Sequence, residues 1–332
     1  LNQEVKQAQK ERPFFLYVAY NSPHWPLEAP DEVVDKYRGT WMKGWDQLRR
    51  EKIERMKEMN ILPDHAALPP NHLPKWDTLS QQTKKELDFR RSIYAAQIDR
   101  MDQNIGRLVK HLKDIGKFDN TLFLFMSDNG SSGEPASEVF GYKWGENMMD
   151  NYEEWKEDSR RSSSQGMVWA NLSNAPYRKY KVWTHEGGIK TPLVVRWPGV
   201  IDGEGKIVRD VGHLVDIMPT VLDVSGATYP EEFNGHQIKP MQGKSLLPIF
   251  KGKNRKPHKY IYWEHESNKA IRKGDWKLVA EHDRSWELYN LGEDPTETNN
   301  IIGEHPALVK ELKTAWQQWA DSVGVRPWPI EE

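Results

Sequence analysis

The chain has 332 residues, enough for one large or two ordinary domains, and 37% hydrophobic content with 15 Trp and 12 Tyr is sufficient to fill a core. Its 47 basic and 49 acidic side chains nearly cancel, so no global field favours nucleic acid or a membrane surface as partner, and any anion site has to be local. There is no cysteine, which excludes a disulfide, a thiolate zinc site or a thiol nucleophile within these residues. No stretch approaches the ~18 apolar residues that a spanning helix needs. The opening LNQEVKQAQKERP has neither the apolar core nor the cleavage pattern of a signal segment. A polar, helix-like start without an initiator Met is expected of the interior of a longer sequence.

The first apolar run, Pro13 to Tyr20, is expected to be a buried strand. It leads at once into Asn21, Ser22, Pro23, His24, Trp25 and Pro26, where the prolines should hold the backbone extended and the imidazole outward. Asp31 to Leu79, rich in charge, Trp and Pro, is expected to be a surface excursion with a helix around Leu48 to Met59 and a Pro-studded loop from Leu62 to Pro74. From about Thr83 to Lys113 the sequence predicts a long helix. Tyr94, Ile98, Met101, Ile105, Leu108, Leu112 and Ile115 recur at steps of four and three, and Gly116 closes the pattern at a C-cap position. The helix feeds Thr121 to Gly130, TLFLFMSDNG, whose continuous apolar run is that of a buried parallel strand. Strand, excursion, helix and strand form a crossover unit, so the Pro13 and Thr121 strands should be parallel neighbours or near-neighbours with His24 and Asp128 at one edge. Asp128 and Asn129 then place two oxygen-bearing side chains where open α/β sheets hold ligands. The plainer alternative is a strand followed by an Asx turn.

Ser131 to Asn174 is polar and is expected to be a long loop rimming the site. The basic stretch NAPYRKYK, with Arg178, Lys179 and Lys181, precedes Gly187 and Gly188, which predict a tight turn, and then a buried strand from Thr191 to Trp197. Asp216 to Gly226 predicts a short helix of structural role, with Asp216 near its N-cap and Pro219 in its first turn. Beyond Pro230, short runs at Tyr260 to His265, Ala270 to Ile271, Trp276 to Ala280 and Trp286 to Tyr289 are separated by turn signals and predict an antiparallel meander. An amphipathic helix from Pro306 to Val323 should cover one of its faces. These elements divide the chain into residues 1–235 and a smaller α+β subdomain, 236–332.

Three loci carry chemistry: His24, the Asp128/Asn129 pair and Lys181, each just beyond or before an expected strand. A carboxylate with an amide oxygen suits a hard cation such as Ca²⁺, or less well Mg²⁺, whereas zinc would more often recruit His or Cys. A lysine and a histidine nearby would bind a tetrahedral oxyanion or protonate a leaving oxygen. The residues imply transfer of a sulfuryl or phosphoryl group.

With these motifs in this order, the chain resembles the type I sulfatases, in the arylsulfatase branch of the alkaline phosphatase-like superfamily. The resemblance runs through PFFLYVAYNSPHWPLEAP, YAAQIDRMDQNIGRLVKHL, DNTLFLFMSDNG, NAPYRKYKVWTHEGGIKTPLVVRWPG, DIMPTVLD, AIRKGDWKLV and ELYNLGEDPTE. It implies an α/β fold with a mixed central sheet flanked by helices and a C-terminal antiparallel sheet with a helix. It also implies that Asp128 and Asn129 ligate calcium, that His24 and Lys181 contact the sulfate and leaving-group oxygens, and that Gly187 and Gly188 are architectural. His185 and Glu186 fill positions that vary between branches and are assigned no chemistry. The family's nucleophile is a formylglycine made from Cys or Ser in a Cys/Ser-x-Pro/Ala-x-Arg motif, upstream of the Pro13 segment together with further metal-binding aspartates. That motif is absent here, and Ser22 in NSPHW lacks the following Arg. The expectation is therefore the C-terminal portion of a sulfate ester hydrolase, inert alone, acting on an aryl or carbohydrate sulfate and, by family habit, periplasmic or secreted. Its other readings are a phosphodiesterase or phosphonate monoester hydrolase of the same superfamily and a non-catalytic module that holds a sulfated glycan. Asp-Asn, where many phosphate-directed relatives have Asp-His, favours sulfate.

Overall fold

The computed structural model describes residues 13–134 and 164–329. The polar start and most of the expected rim loop lie outside the described residues. The chain forms two compact units: Leu1–Gln47 with Leu73–Thr121 and Ser132–Ala170, and Leu48–His72 with Leu122–Ser131 and Asn171–Glu332. Residue 236 lies inside the second.

In the first unit, α1 (Asp31–Val34) and the start of α2 (Trp45–Glu58) accompany the long α3 (Gln81–Asp114). Ser80 caps α3 by accepting from the Thr83 amide, His111 and Lys113 fill its last turn, and Gly116 follows at φ 67°. The expected helix is present, but its burial lies further towards the N-terminus than the periodicity suggested. Phe89, Ile93 and Ala96 pack on Leu27, Ala29, Val33 and Val34, while Ile98 is 37% exposed. The excursion expected at the surface is instead pinned by tryptophans. Trp45 and Trp169 are fully buried, with ring centroids 5.5 Å apart, and Trp76 sits 4.9 and 5.9 Å from them. Their polar edges are satisfied: Trp169 Nε1 donates to the Leu87 carbonyl and Trp45 Nε1 to that of Pro74. Trp169 belongs to a helix, α4 (Gly166–Asn174), inside the stretch expected to be loop. Val168, Trp169, Ala170 and Leu172 are buried, and that burial outweighs the polar composition around them.

Pro13 to Tyr20 makes no strand ladder. Its exposure alternates, with Phe15 and Tyr17 open and Leu16 and Val18 half-buried, so the period of two is present without a hydrogen-bonded partner among the described residues. The expected parallel pairing with the Thr121 strand is not among the ladders of the described residues.

The second unit holds β1 (Phe123–Met126), α5 (Glu186–Ile189) and β2 (Leu193–Arg196). β1 pairs antiparallel with β2, Phe125 opposite Val194, as a two-stranded ribbon. Both strands were expected to be buried, yet only one face is. Leu122, Leu124, Val195 and Trp197 pack against Leu246, Leu247 and Phe250, whereas Phe125 and Val194 are 49% and 58% exposed. The predicted short helix is α6 (Ile217–Ser225), ended by Gly226 at φ 71°. Asp216 does not cap it through its side chain; fully buried, it accepts from the amides of His213 and Lys244, from His258 Nε2 at 2.8 Å and from Arg255 at 2.6 Å. It ties the start of α6 to the 244–258 segment, which contains α7 (Leu247–Phe250).

After a small hairpin of β3 (Glu232–Phe233) and β4 (His236–Gln237), the meander forms as expected. Its strands β5 (Ile261–His265), β6 (Asn268–Lys273), β7 (Trp276–Ala280) and β8 (Glu287–Asn290) lie in that order, all antiparallel. Helix α8 (Pro306–Val323) covers one face, packing Leu312 and Trp316 on Ile271, Leu278 and Leu288. The opposite face carries Ala270, Arg272, Lys277, Val279, Glu287 and Tyr289 in cross-strand register.

Trp169→Ala should cost about 3–5 kcal/mol, because it empties the centre of the indole cluster and removes the second donor to the Leu87 carbonyl, which keeps its bond within α3. Urea denaturation followed by tryptophan fluorescence measures the loss; a change below about 1 kcal/mol would contradict this packing.

Candidate active site

The Asp128–Asn129 turn and the Lys181 loop meet at a place where neither chain segment carries a side chain. The Gly130 amide donates to the Gly188 carbonyl at 2.8 Å, the Gly187 amide to the Arg178 carbonyl at 2.8 Å, and the Lys181 amide to the Ser131 carbonyl at 3.1 Å. A Cβ on Gly130 would overlap the Gly187 carbonyl, one on Gly187 the Arg178 and Lys179 carbonyls, and one on Gly188 the Trp183 carbonyl. Ser131 is further clamped by Asn174, whose Oδ1 accepts from the Ser131 amide at 2.8 Å.

On this platform Asp128 is exposed, and its Oδ1 accepts from the Asn129 amide at 3.1 Å. Asn129 Nδ2 donates to the Gly130 carbonyl at 2.9 Å, leaving Oδ1 as the side chain's available acceptor. The Asp128 side chain bonds the next amide and not the one two residues on, so this is not an Asx turn, because the Gly130 amide is given to Gly188; the turn presents two hard oxygens. The donor set fits part of a calcium shell, which takes ~6–8 oxygens. Among the described residues no group of three or more His, Cys, Asp or Glu would hold a metal by itself.

The three cations before the paired glycines separate in the structure. Arg178 Nη1 lies 3.0 Å from the Glu287 carboxylate and Lys179 Nζ 3.0 Å from that of Glu281, while Lys181 is the one whose backbone is bonded to the Asp128 turn. Lys179 and Val182, on either side of Lys181, have φ of 66° and 88°, the second an outlier for a β-branched residue. His24 belongs to the first unit. Residues 21–24 turn, closed by the His24 amide on the Asn21 carbonyl, and do not run extended; Pro23 and Pro26 follow cis peptide bonds. The imidazole is exposed, its Nδ1 2.6 Å from the Trp25 carbonyl. Trp25 Nε1 donates to Glu134, which also accepts from Ser132. The structure therefore brings Asp128, Asn129 and Lys181 together within one unit, and sets His24 on an anchored turn in the other.

Sequence reasoning passed over the groups beneath this platform. His185, Glu186 and Lys277 are fully buried. His185 Nε2 lies 3.2 Å from Glu287, which also accepts from Tyr289 Oη at 2.6 Å. Burial would raise the Glu287 carboxyl, but the hydrogen bonds from His185 and Tyr289 and the charge of Arg178 outweigh it and hold it down at about 2. Burial likewise opposes ionisation of Glu186, and the Lys277 and Lys190 ammoniums reverse that and keep it well below the usual carboxylate range. The sequence signal was a lysine in an otherwise apolar strand, WKLVA.

The sulfatase family model matches residues 1–227, and the model of the N-sulphoglucosamine sulphohydrolase C-terminal region matches 178–321. An uncharacterized sulfatase of Schizosaccharomyces pombe is 32% identical over 97% of this chain and 60% of its own length. An arylsulfatase of Klebsiella aerogenes is 34% identical over 77% of this chain and 55% of its own. The chain thus spans little more than half the length of these relatives. Among solved structures, Ps i-CgsB shares the fold with a TM-score of 0.59 at 24% identity, over 95% of this chain and 52% of the other. A phosphonate monoester hydrolase of Agrobacterium radiobacter shares it with a TM-score of 0.53 at 20% identity, over 96% and 58%.

Gly130→Ala should destabilise the chain by about 1–3 kcal/mol, since the obstacle is backbone and cannot rotate away. Gly199→Ala, with nothing within 4 Å of the added methyl, is the control expected to be near neutral. Equal melting temperatures for the two variants would refute the close approach. The depressed Glu287 carboxyl adds a pH dependence. Its stabilisation is fully present above the ordinary carboxylate value of about 4.5 and is lost as pH falls towards about 2, because the unfolded chain binds the proton first. Denaturation midpoints should therefore fall across that window in the parent and fall less steeply in Glu287→Gln.

Proposed function

The chain belongs to the sulfatase family, and from that premise we propose that it is the C-terminal portion of a calcium-dependent sulfuric ester hydrolase acting on an aryl or carbohydrate sulfate. The observation that carries the reading is the backbone seam of Gly130 on Gly188 and Lys181 on Ser131, which fixes a carboxylate–amide pair and a lysine-bearing loop to one rigid platform. Asp128 and Asn129 would hold the calcium ion. The bound ion would supply Lewis-acid stabilisation of the sulfate oxygens, and a formylglycine upstream of these residues would supply the nucleophile. The Lys181 ammonium binds the sulfate oxygens and neutralises charge that grows on the leaving oxygen as the S–O bond breaks. His24, exposed on its turn, donates a proton to the departing alcohol. A periplasmic or secreted location goes with the same reading.

The test uses the complete protein with its upstream region. Aryl sulfate should be turned over well in excess of aryl phosphate, and a preference for phosphate would assign the site to a phosphodiesterase or phosphonate monoester hydrolase. Asp128→Ala and Lys181→Ala should each lower kcat/KM by ~10²–10³-fold, the range found when one stabiliser of developing charge is removed. Peptide mass mapping upstream of Leu1 should find a Cys or Ser converted to the aldehyde or its hydrate. An unmodified upstream region with no sulfate turnover would leave a module that binds a sulfated glycan without cleaving it.

A further inference from the structure

Segment 178–190 carries Lys181 and ends in α5, whose Gly187 and Gly188 lie in helix without positive φ instead of the expected tight turn and seat Gly130 next to Asp128 and Asn129. What grips that loop is a set of charges presented by the meander on the face opposite α8. Lys277 is fully buried there, with Nζ 2.8 Å from Glu186 Oε1 and 2.8 Å from Glu297 Oε1. Glu297, itself fully buried and at φ 57°, also accepts the Glu186 amide on Oε2 at 2.9 Å. At the other end of the loop Arg178 Nη1 donates to the Glu287 carboxylate and to the Glu297 carbonyl, both at 3.0 Å. The loop is therefore held at both ends by groups of β7, β8 and the segment after β8, with Lys181 between the two grips.

Buried charges make an exacting clamp. Two carboxylates share one ammonium, and Lys190, 3.6 Å from Glu186, balances the remainder. A shift of the loop would leave one of these charges buried without its partner, a state far costlier than a comparable slip between apolar surfaces. The need for such rigidity is chemical, since a displacement of ~1 Å at a reacting group can cost ~10²-fold in rate.

We infer that Lys277 and Glu297 are positioning residues: through Glu186 and the Gly187–Gly188 pair of α5 they set where Lys181 and the Asp128–Asn129 turn stand. The mechanical link stands on the geometry alone, and its catalytic consequence rests on the function proposed above.

The two parts separate in one experiment on the full-length protein with its upstream region, comparing the parent, Lys277→Met and the milder Glu186→Gln, which keeps an acceptor for Lys277. Hydrogen exchange is read on peptides covering 127–131, 178–190 and 306–323. In both variants the first two should exchange about tenfold faster, with the α8 peptide unchanged. In the same samples kcat for an aryl sulfate, per folded molecule, should fall ~10–100-fold while KM moves less than ~3-fold, because alignment is lost and not binding. Unchanged exchange at 127–131 and 178–190, or unchanged kcat, would overturn the inference. So would faster exchange in all three peptides, which would mean that the charges hold the sheet together and do not set the loop. A parent without sulfate turnover would sink the functional reading alone, and the exchange comparison would still decide whether the clamp exists.

Discussion

At Gly130 two segments distant in sequence come so close that a Cβ would overlap the Gly187 carbonyl, while Gly187 and Gly188 are themselves pressed against carbonyls of their own loop. Most of what can be said about the candidate site follows from that approach. Because the contact is backbone to backbone, it has almost no torsional slack, and the residues on either side inherit its rigidity. Asp128 and Asn129 precede Gly130 directly, and Lys181 is tied to Ser131 one residue beyond it. The three chemistry-bearing side chains of the second unit are thus placed by peptide geometry, with side-chain packing in a supporting role. Side chains with several rotamers would have made a softer seat.

The meander answers two different demands on its two faces. Towards α8 it offers Ile271, Leu278 and Leu288, an apolar surface whose burial contributes stability in proportion to area. On the other face Lys277, Glu287 and Tyr289 alternate with Ala270 and Val279. Buried ion pairs contribute little net stability, because desolvation offsets much of their attraction. Their contribution is specificity of arrangement, and the difference between the faces is therefore a division of labour within one small sheet. The apolar face keeps the unit folded, and the charged face fixes the loop that crosses it.

Local signals in the sequence translated well into structure, and non-local ones did not. Helices α3, α6 and α8 and the four-stranded meander were legible, because 3.6-residue periodicity, the cap at Gly116 and turn residues act within a few positions. The expected strand at Pro13 to Tyr20 shows why the rest was harder. Its alternation is real, but a strand is defined by its ladder, and no periodicity says which partner supplies it. The same applies to α4, whose polar surroundings suggested loop until Trp169 was seen to fill a cluster assembled from three distant indoles. At the site, Asp128, Asn129, Lys181 and the paired glycines could be named from their order along the chain. The Glu186–Lys277–Glu297 cluster could not, since Glu186 opens the four-residue α5, Glu297 sits in a loop, and no local pattern pairs either with Lys277.

The strain around Lys181 fits the way the loop is held. Lys179 and Val182 occupy left-handed backbone that side chains with a Cβ disfavour, Val182 most of all. Such conformations cost of order 1–3 kcal/mol each and persist only where the surroundings over-determine them. Here the surroundings do so: Arg178 is fixed by Glu287, Lys179 by Glu281, the Lys181 amide by Ser131, and Glu186 by Lys277 and Glu297. A relaxed loop of the same length would carry Lys181 elsewhere. The strained one, with ties on both sides of the strain, holds its backbone beside the Asp128 turn, and the energy stored in two unfavourable residues is the local cost of putting a lysine there.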